Sequence, residues 1–276
     1  MESIHSAVFM GVIDDEVLQE YDTYPYGDWK DAAPVSGDVK GVADWLDAFI
    51  ASHVTRSSRV LVVGAGGGKE LIKLRETGCS VVGIEFDQSL FAETSTMLLR
   101  SADGGGITLR HAERFNLESE RTDFDVVIVP RFYTSFVQGR PERVRFLKAC
   151  SERLKEGGVI AFDYFTRPES ETVPASLLFT LQPPVANLLR ILRGGRKRRI
   201  ETGDHLDPKV PLLHHHYSRA NLDIELSEAG LTAAERGQTW FGWSVAKRPL
   251  GKVPAEAPVP SVSSTPAAPV PEVSHS

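Results

Sequence analysis

Three glycines, Gly64, Gly66 and Gly68, alternate directly after the β-branched run Val60-Leu61-Val62-Val63. A glycine loop in that place lets the backbone approach a ligand closely and turn sharply into a helix. Glu85 stands about twenty residues further on, at the end of a second apolar run, where an acidic side chain accepts hydrogen bonds from ribose hydroxyls. Loop and acid at this spacing, each at a predicted strand end, point to a ligand that contains adenosine. The loop is not the dinucleotide fingerprint. In G-x-G-x-x-G/A the first two glycines fit Gly64 and Gly66, but Lys69 takes the third place. An oxidoreductase built on a nicotinamide cofactor is therefore the lesser reading.

A second set of residues has groups that move protons. His214-His215-His216 runs into Tyr217, and imidazoles titrate near neutral pH. If the segment is extended, His214 and His216 share one face and His215 points to the other. No cysteine or carboxylate beside them has ligand spacing, so no metal is expected. Arg131 and Tyr133 follow the apolar run Phe124 to Val129, where a reacting group would emerge from a sheet. Near the N-terminus Tyr21, Tyr24, Tyr26 and Trp29 lie close together.

These residues need a scaffold, and the hydrophobic rhythm supplies one. Val42, Trp45, Leu46, Phe49, Ile50 and Val54 recur at spacings of three and four, the mark of an amphipathic helix. From Arg59 onward, strands alternate with helices. The strands are Arg59–Val63, Ser80–Glu85, Ile107–Arg110, Phe124–Val129 and Val159–Tyr164. The helices run from Gly68 to Glu76, from Ser89 to Arg100 and from Pro141 to the Gly157-Gly158 turn. Such alternation indicates βαβ units and a parallel sheet.

Residues 168–212 break the rhythm: Ala175 to Leu192 is apolar but split by Pro183-Pro184, and the basic run Arg193 to Arg199 follows. This region reads as an insertion over the mouth of the sheet, with the basic run as a solvated loop. A helix from Ser218 to Ala229 and further apolar stretches to Val245 complete the domain. The expected organisation is an N-terminal flap over residues 1–38, a domain over residues 39–248, and a tail over residues 249–276 that is too poor in apolar side chains to fold.

The chain of 276 residues is 41% hydrophobic and 25% charged, as ordinary globular proteins are. Its formal net charge of -6 lacks the basic excess that nucleic-acid binding needs. Two cysteines, Cys79 and Cys150, sit in segments read as buried or helical and make no disulfide framework. There is no apolar run of membrane-spanning length and no basic-then-apolar start, which makes the cytoplasm the expected location.

Val60-Leu61-Val62-Val63-Gly64-Ala65-Gly66-Gly67-Gly68 resembles the first motif of the class I S-adenosylmethionine-dependent methyltransferases, and the resemblance extends over roughly residues 40 to 245. Val82-Gly83-Ile84-Glu85-Phe86-Asp87 is similar to the family's ribose-binding strand end. Phe124 to Pro130 resembles its fourth-strand motif, and Leu154-Lys155-Glu156-Gly157-Gly158 its Leu-Lys-Pro-Gly-Gly turn. His216-Tyr217-Ser218 through Leu226-Ser227-Glu228-Ala229-Gly230-Leu231 resembles its last helix. One motif departs: the usual Asp after the third strand is missing, and Ala112 or Glu113 stands in its place. Glu113 would accept the adenine amino group; with Ala112 there, backbone groups must hold the base.

The resemblance implies a doubly wound, mostly parallel seven-stranded α/β sheet with helices on both faces, the Rossmann-like methyltransferase fold. It implies S-adenosylmethionine as cofactor, bound by Gly64, Ala65, Gly66, Gly68, Glu85, Phe86, Ala112, Glu113 and Pro130. The acceptor side would draw on Tyr24, Tyr26, Arg131, Tyr133, His214 and His216, with Tyr133 and His216 the candidates for catalysis. The expected reaction is O- or N-methylation of a small molecule by in-line displacement. Nucleic acid is not an expected partner, membrane contact is not expected, and a homodimer is compatible with the sequence. The alternatives are a binding protein that keeps the cofactor without turnover, and a lipid methyltransferase working at a membrane surface.

Overall fold

Val60, Leu61, Val62 and Val63 are all fully buried, as a strand must be when helices cover both faces of its sheet. Burying each such side chain contributes about 1.5–3 kcal/mol relative to leaving it in water. The computed structural model describes residues 10, 42–100, 106–113, 116–118, 120–167, 173–192, 199–207 and 212–249. The aromatic N-terminal cluster, most of the basic run and the tail lie outside these residues.

In chain order the elements are α1 (Val42–His53), β1 (Arg59–Val63), α2 (Lys69–Glu76), β2 (Ser80–Glu85), α3 (Gln88–Arg100), β3 (Ile107–His111), β4 (Phe124–Val129), α4 (Tyr133–Phe136), α5 (Arg140–Glu152), β5 (Leu154–Phe165), α6 (Val173–Leu192), β6 (Asp204–Asp207), β7 (Leu212–His215), α7 (Arg219–Glu228), β8 (Thr232–Gln238) and β9 (Phe241–Lys247). Seven strands form one sheet in the order β3-β2-β1-β4-β5-β9-β8. The first five are parallel, and β9 runs antiparallel to both β5 and β8. This is the doubly wound, mostly parallel sheet expected. Strand order reverses beside β1, so the C-terminal ends of β1 and β4 open a crevice there, the usual ligand position in such sheets.

The alternation along β1 divides the core. Leu61 and Val63 face a layer with Phe146, Leu147 and Cys150 of α5 and Leu222 and Leu226 of α7. Val60 and Val62 face a layer with Trp45 and Phe49 of α1 and Leu71 and Leu74 of α2. Trp45 stacks on Trp243 at 5.8 Å with the planes 3° apart, joining α1 to β9. Cys79 and Cys150 are both buried and free.

Three local readings differ from the structure. Gly157 and Gly158 do not end α5; they lie inside β5, where a two-residue step on β4 from Phe124 to Val126 answers a five-residue step from Leu154 to Val159. A Cβ on Gly158 would meet the Phe124 carbonyl oxygen at 2.9 Å, so close backbone approach, not helix capping, requires glycine there. Pro183 and Pro184 do not split the apolar stretch, because one helix, α6, runs through both. Pro183, Ala186 and Arg190 are buried at helical spacing, so the stretch from the prolines onward is docked on one face. Finally, β6 and β7 pair as a separate antiparallel two-stranded sheet, with Asp204 opposite His215 and His205 opposite His214. Among the described residues no helix is long and apolar enough to cross a membrane.

Candidate active site

All three alternating glycines of the loop have left-handed backbones: φ is 79° at Gly64, 51° at Gly66 and 76° at Gly68. Side chains rarely adopt these angles, so the sequence of the loop follows from its shape. Gly64 also has no room for a Cβ, which would meet Cδ2 of Tyr133 at 2.9 Å. At Gly66 and Gly67 a Cβ would meet nothing within 4 Å, so the loop tip faces open space.

Glu85, at the end of β2, turns its buried carboxylate into this loop. Oε2 accepts the Gly66 N–H at 2.5 Å, while Oε1 accepts those of Phe86 and Asp87, both at 2.8 Å. Burial pushes the Glu85 carboxyl above the ordinary carboxylate range, against those three backbone donors. Asp87 caps α3, accepting from Ser89 and from the Leu90 N–H at 2.9 Å. Phe86 stacks on Tyr133 with centroids 5.6 Å apart. Ala112 follows β3 and donates its N–H to the Glu85 carbonyl at 3.1 Å, whereas the Glu113 side chain is exposed. Gly66, Glu85, Phe86 and Ala112 therefore meet around one crevice, with Pro130 buried at the end of the adjoining β4.

After Pro130 the chain enters an unusual turn. Arg131 and Phe132 both have positive φ, 61° and 58°. Asp163 of β5 holds the turn: it accepts the Arg131 N–H at 3.2 Å and the Phe132 N–H at 2.5 Å. Its carboxyl is 1% exposed, and burial pushes it up to about 7. The Arg131 guanidinium pairs with Glu70 in the first turn of α2, through Nε at 3.0 Å and Nη2 at 3.3 Å. Tyr133 is buried against Phe86 and Phe146. Asp163 and Glu70 were missed in the sequence, although an acid inside the apolar run Val159-Ile160-Ala161-Phe162-Asp163-Tyr164 was a signal for the first.

The histidines gather at the end of β5. Phe132 stacks on Phe165 at 4.3 Å, and Phe165 stacks on His216 at 5.4 Å. His205, His214 and His216 bring their rings to within 4.8 to 5.4 Å of one another. His215 points away, and its Nδ1 donates to Asp204 at 2.8 Å. His216 Nδ1 lies 3.2 Å from the Thr166 carbonyl, which can only accept, so Nδ1 carries the proton of the neutral ring and Nε2 carries the lone pair. That Nε2 is buried and meets no hydrogen-bond partner among the described residues. Burial, with His205 nearby, pushes His216 down to about 4, so the ring is neutral at physiological pH. His205 was also missed; only the pairing of β6 with β7 brings it here.

One group among the described residues, Glu201, Asp204 and His215, has donor atoms close enough together for a metal ion. Its charges are met within the protein, because Arg143 pairs with Glu201 at 2.7 Å and His215 holds Asp204.

Residues 60–158, which hold the glycine loop, Glu85 and Pro130, match the family of methyltransferase domains. Over that stretch the chain is similar to a methyltransferase domain. Solved structures share the fold. A methyltransferase dependent on S-adenosylmethionine from Methanosarcina mazei is 20% identical, with a TM-score of 0.55 over 72% of this chain and 96% of that one. The magnesium protoporphyrin IX methyltransferase of Synechocystis, with bound S-adenosylhomocysteine, is 16% identical, with a TM-score of 0.54 over 84% of this chain and 98% of that one. A sugar N-methyltransferase from a Streptoalloteichus species is 18% identical, with a TM-score of 0.54 over 77% of this chain and 89% of that one. At these identities the likeness is one of fold. No curated protein sequence matches the chain.

The domain thus draws its cofactor candidates from β1, β2, β3 and β4, and its acceptor-side candidates Arg131 and Tyr133 from the end of β4 and His214 and His216 from the end of β7. Tyr24 and Tyr26, the other two acceptor-side candidates, lie outside the described residues. The open loop tip and the buried carboxylate below it suit a ribose and its attached chain, so the residues present fit the cofactor.

Proposed function

We propose that this domain methylates an oxygen or nitrogen of a small-molecule acceptor, and that Gly66 and Glu85 hold the cofactor's ribose end. The observation that carries the reading is the Glu85 carboxylate turned into a glycine loop whose tip faces open space. A carboxylate offers about four acceptor positions and three are taken by backbone donors, so one remains for a hydroxyl. Ala112 and Glu113, at the end of β3, border the place for the adenine. Bound S-adenosylmethionine supplies a methyl group made electrophilic by its sulfonium; the protein supplies proximity and orientation.

On the acceptor side, His216 Nε2 accepts the hydrogen of the reacting O–H or N–H. A neutral imidazole whose other nitrogen is fixed to a carbonyl holds its lone pair in one direction. A ring so reluctant to charge suits a neutral hydroxyl or aromatic amine, whose proton becomes strongly acidic as the methyl arrives, better than an alkylammonium ion that must be deprotonated first. The fold serves porphyrin and sugar acceptors in the structures named above, and that supports a small-molecule acceptor by analogy of fold.

Calorimetry with S-adenosylhomocysteine tests the cofactor half, and transfer of labelled methyl to a panel of phenols, anilines and amino sugars tests the acceptor half. Binding without transfer to any of them would favour the turnover-free alternative. NADH binding without S-adenosylhomocysteine binding would sink the proposal.

A further inference from the structure

From Pro183 to Leu192, α6 has its polarity reversed. A surface helix normally turns its polar side to water and its apolar side to the core. Here the inward face carries the polar groups: Asn187 donates to the Ile200 carbonyl at 2.9 Å and accepts its N–H at 2.8 Å, and Arg190, 2% exposed, donates to the Met10 carbonyl at 3.2 Å. Ala186 packs beside them with Met10, Ile200 and Leu213. The outward face is Val185, Leu188, Ile191 and Leu192, exposed at 45%, 57%, 60% and 74%. These are four of the seven large apolar side chains exposed among the described residues, within two turns of one helix. Their spacing places them on one side, opposite Ala186 and Arg190.

The charge that follows is as one-sided. No acidic residue occurs from Val173 to Arg199, and Arg193, Arg196, Lys197, Arg198 and Arg199 put five positive charges into seven residues of a chain whose net charge is -6. An apolar helix face followed directly by a basic run matches the outer layer of an anionic bilayer, where acyl chains lie just below negative headgroups. Nucleic acid would meet the charges but leave the apolar face in water.

We propose that the outward face of α6 lies in the surface of an anionic lipid membrane, with the basic run against its headgroups. The helix lies in the plane of the membrane and does not span it. This contact goes beyond the methyl-transfer reading and does not depend on it, because vesicle binding is measured without an acceptor.

The experiment is sedimentation of the full chain with vesicles of phosphatidylcholine alone and of phosphatidylcholine mixed with phosphatidylglycerol. The expected result is binding to the mixed vesicles only, weakened by salt. Leu188→Glu with Leu192→Glu, and separately serine at positions 196 to 199, should each lower that binding about tenfold or more. Both variants should keep the native circular dichroism spectrum, since the outward side chains support no described contact. No sedimentation with mixed vesicles, or equal binding by the folded Leu188→Glu/Leu192→Glu variant, overturns the proposal. So does a dimer in light scattering that this variant dissociates, because a second copy would then cover the face.

Discussion

The Gly66 N–H donates to the Glu85 carboxylate at 2.5 Å, tying the tip of the glycine loop to the end of β2 across two parallel strands. Replacing Glu85 with Ala removes the proposed ribose acceptor and leaves the Gly66, Phe86 and Asp87 donors unanswered. Affinity for S-adenosylhomocysteine should fall by about 1–3 kcal/mol, roughly five- to 150-fold, through lost charge-assisted hydrogen bonds. Calorimetry checks this, and unchanged affinity would contradict the ribose assignment.

Asp163 gives the fold a pH dependence. Its folded carboxyl is pushed up to about 7 from an ordinary 3.8, so the folded state binds its proton more tightly than the unfolded state. The stability this contributes is complete below the unfolded value and is lost as pH rises through 7. Asp163→Asn cannot titrate. Its stability should decline less between pH 4 and 7 than that of the native chain in denaturant titrations at each pH. Equal slopes would mean that Asp163 ionises normally.

His216 acts with the opposite sign. Its folded value is pushed down to about 4 from 6.5, so the unfolded state takes the proton first as pH falls. Stability should drop from pH 6.5 toward 4, and His216→Asn, whose amide still reaches the Thr166 carbonyl, should flatten that drop. The same variant should slow methyl transfer about 10²–10⁴-fold while leaving S-adenosylhomocysteine binding unchanged, as loss of a proton acceptor predicts. A variant that transfers methyl at the native rate removes His216 from the mechanism.

Among the described residues Arg143 is the largest fully buried side chain, and it ties the segment before β6 to α7. Its guanidinium donates to Glu225 of α7 at 2.7 Å and to Glu201, just before β6, at 2.7 Å. Arg143→Ala would strand two acids with no counter-charge and should cost about 3–5 kcal/mol in thermal or denaturant unfolding. Replacing Arg143, Glu201 and Glu225 together by apolar residues of similar size should cost much less. If the triple variant is as unstable as Arg143→Ala, the pairing is not what matters at this place.

The chain by itself determined what short windows encode. Val60 to Val63, Ser80 to Glu85 and Phe124 to Val129 are apolar runs that only a sheet covered on both faces can bury, so the strands could be read directly. The alternating glycines need left-handed backbone, and Glu85 ends its strand at the right distance, so the pairing of loop and acid was visible too. Even the division of His214 and His216 from His215 follows from a two-residue period.

Tertiary structure decided what depends on partners far away in the chain. Nothing local says that Asp163 will hold the turn at Arg131 and Phe132, that Glu70 will take the Arg131 side chain, or that the pairing of β6 with β7 will bring His205 to His216. These pairings exist because strand order sets β4 beside β5, and because β7 and His216 pack against the end of that sheet. The two prolines of α6 read as a break, but one helix runs through them, docked by its face from Pro183 onward. Which side of α6 meets the core cannot be read from a stretch apolar on every side; only the contacts with Met10 and Ile200 turn its polar groups inward and leave Leu188 and Leu192 facing out.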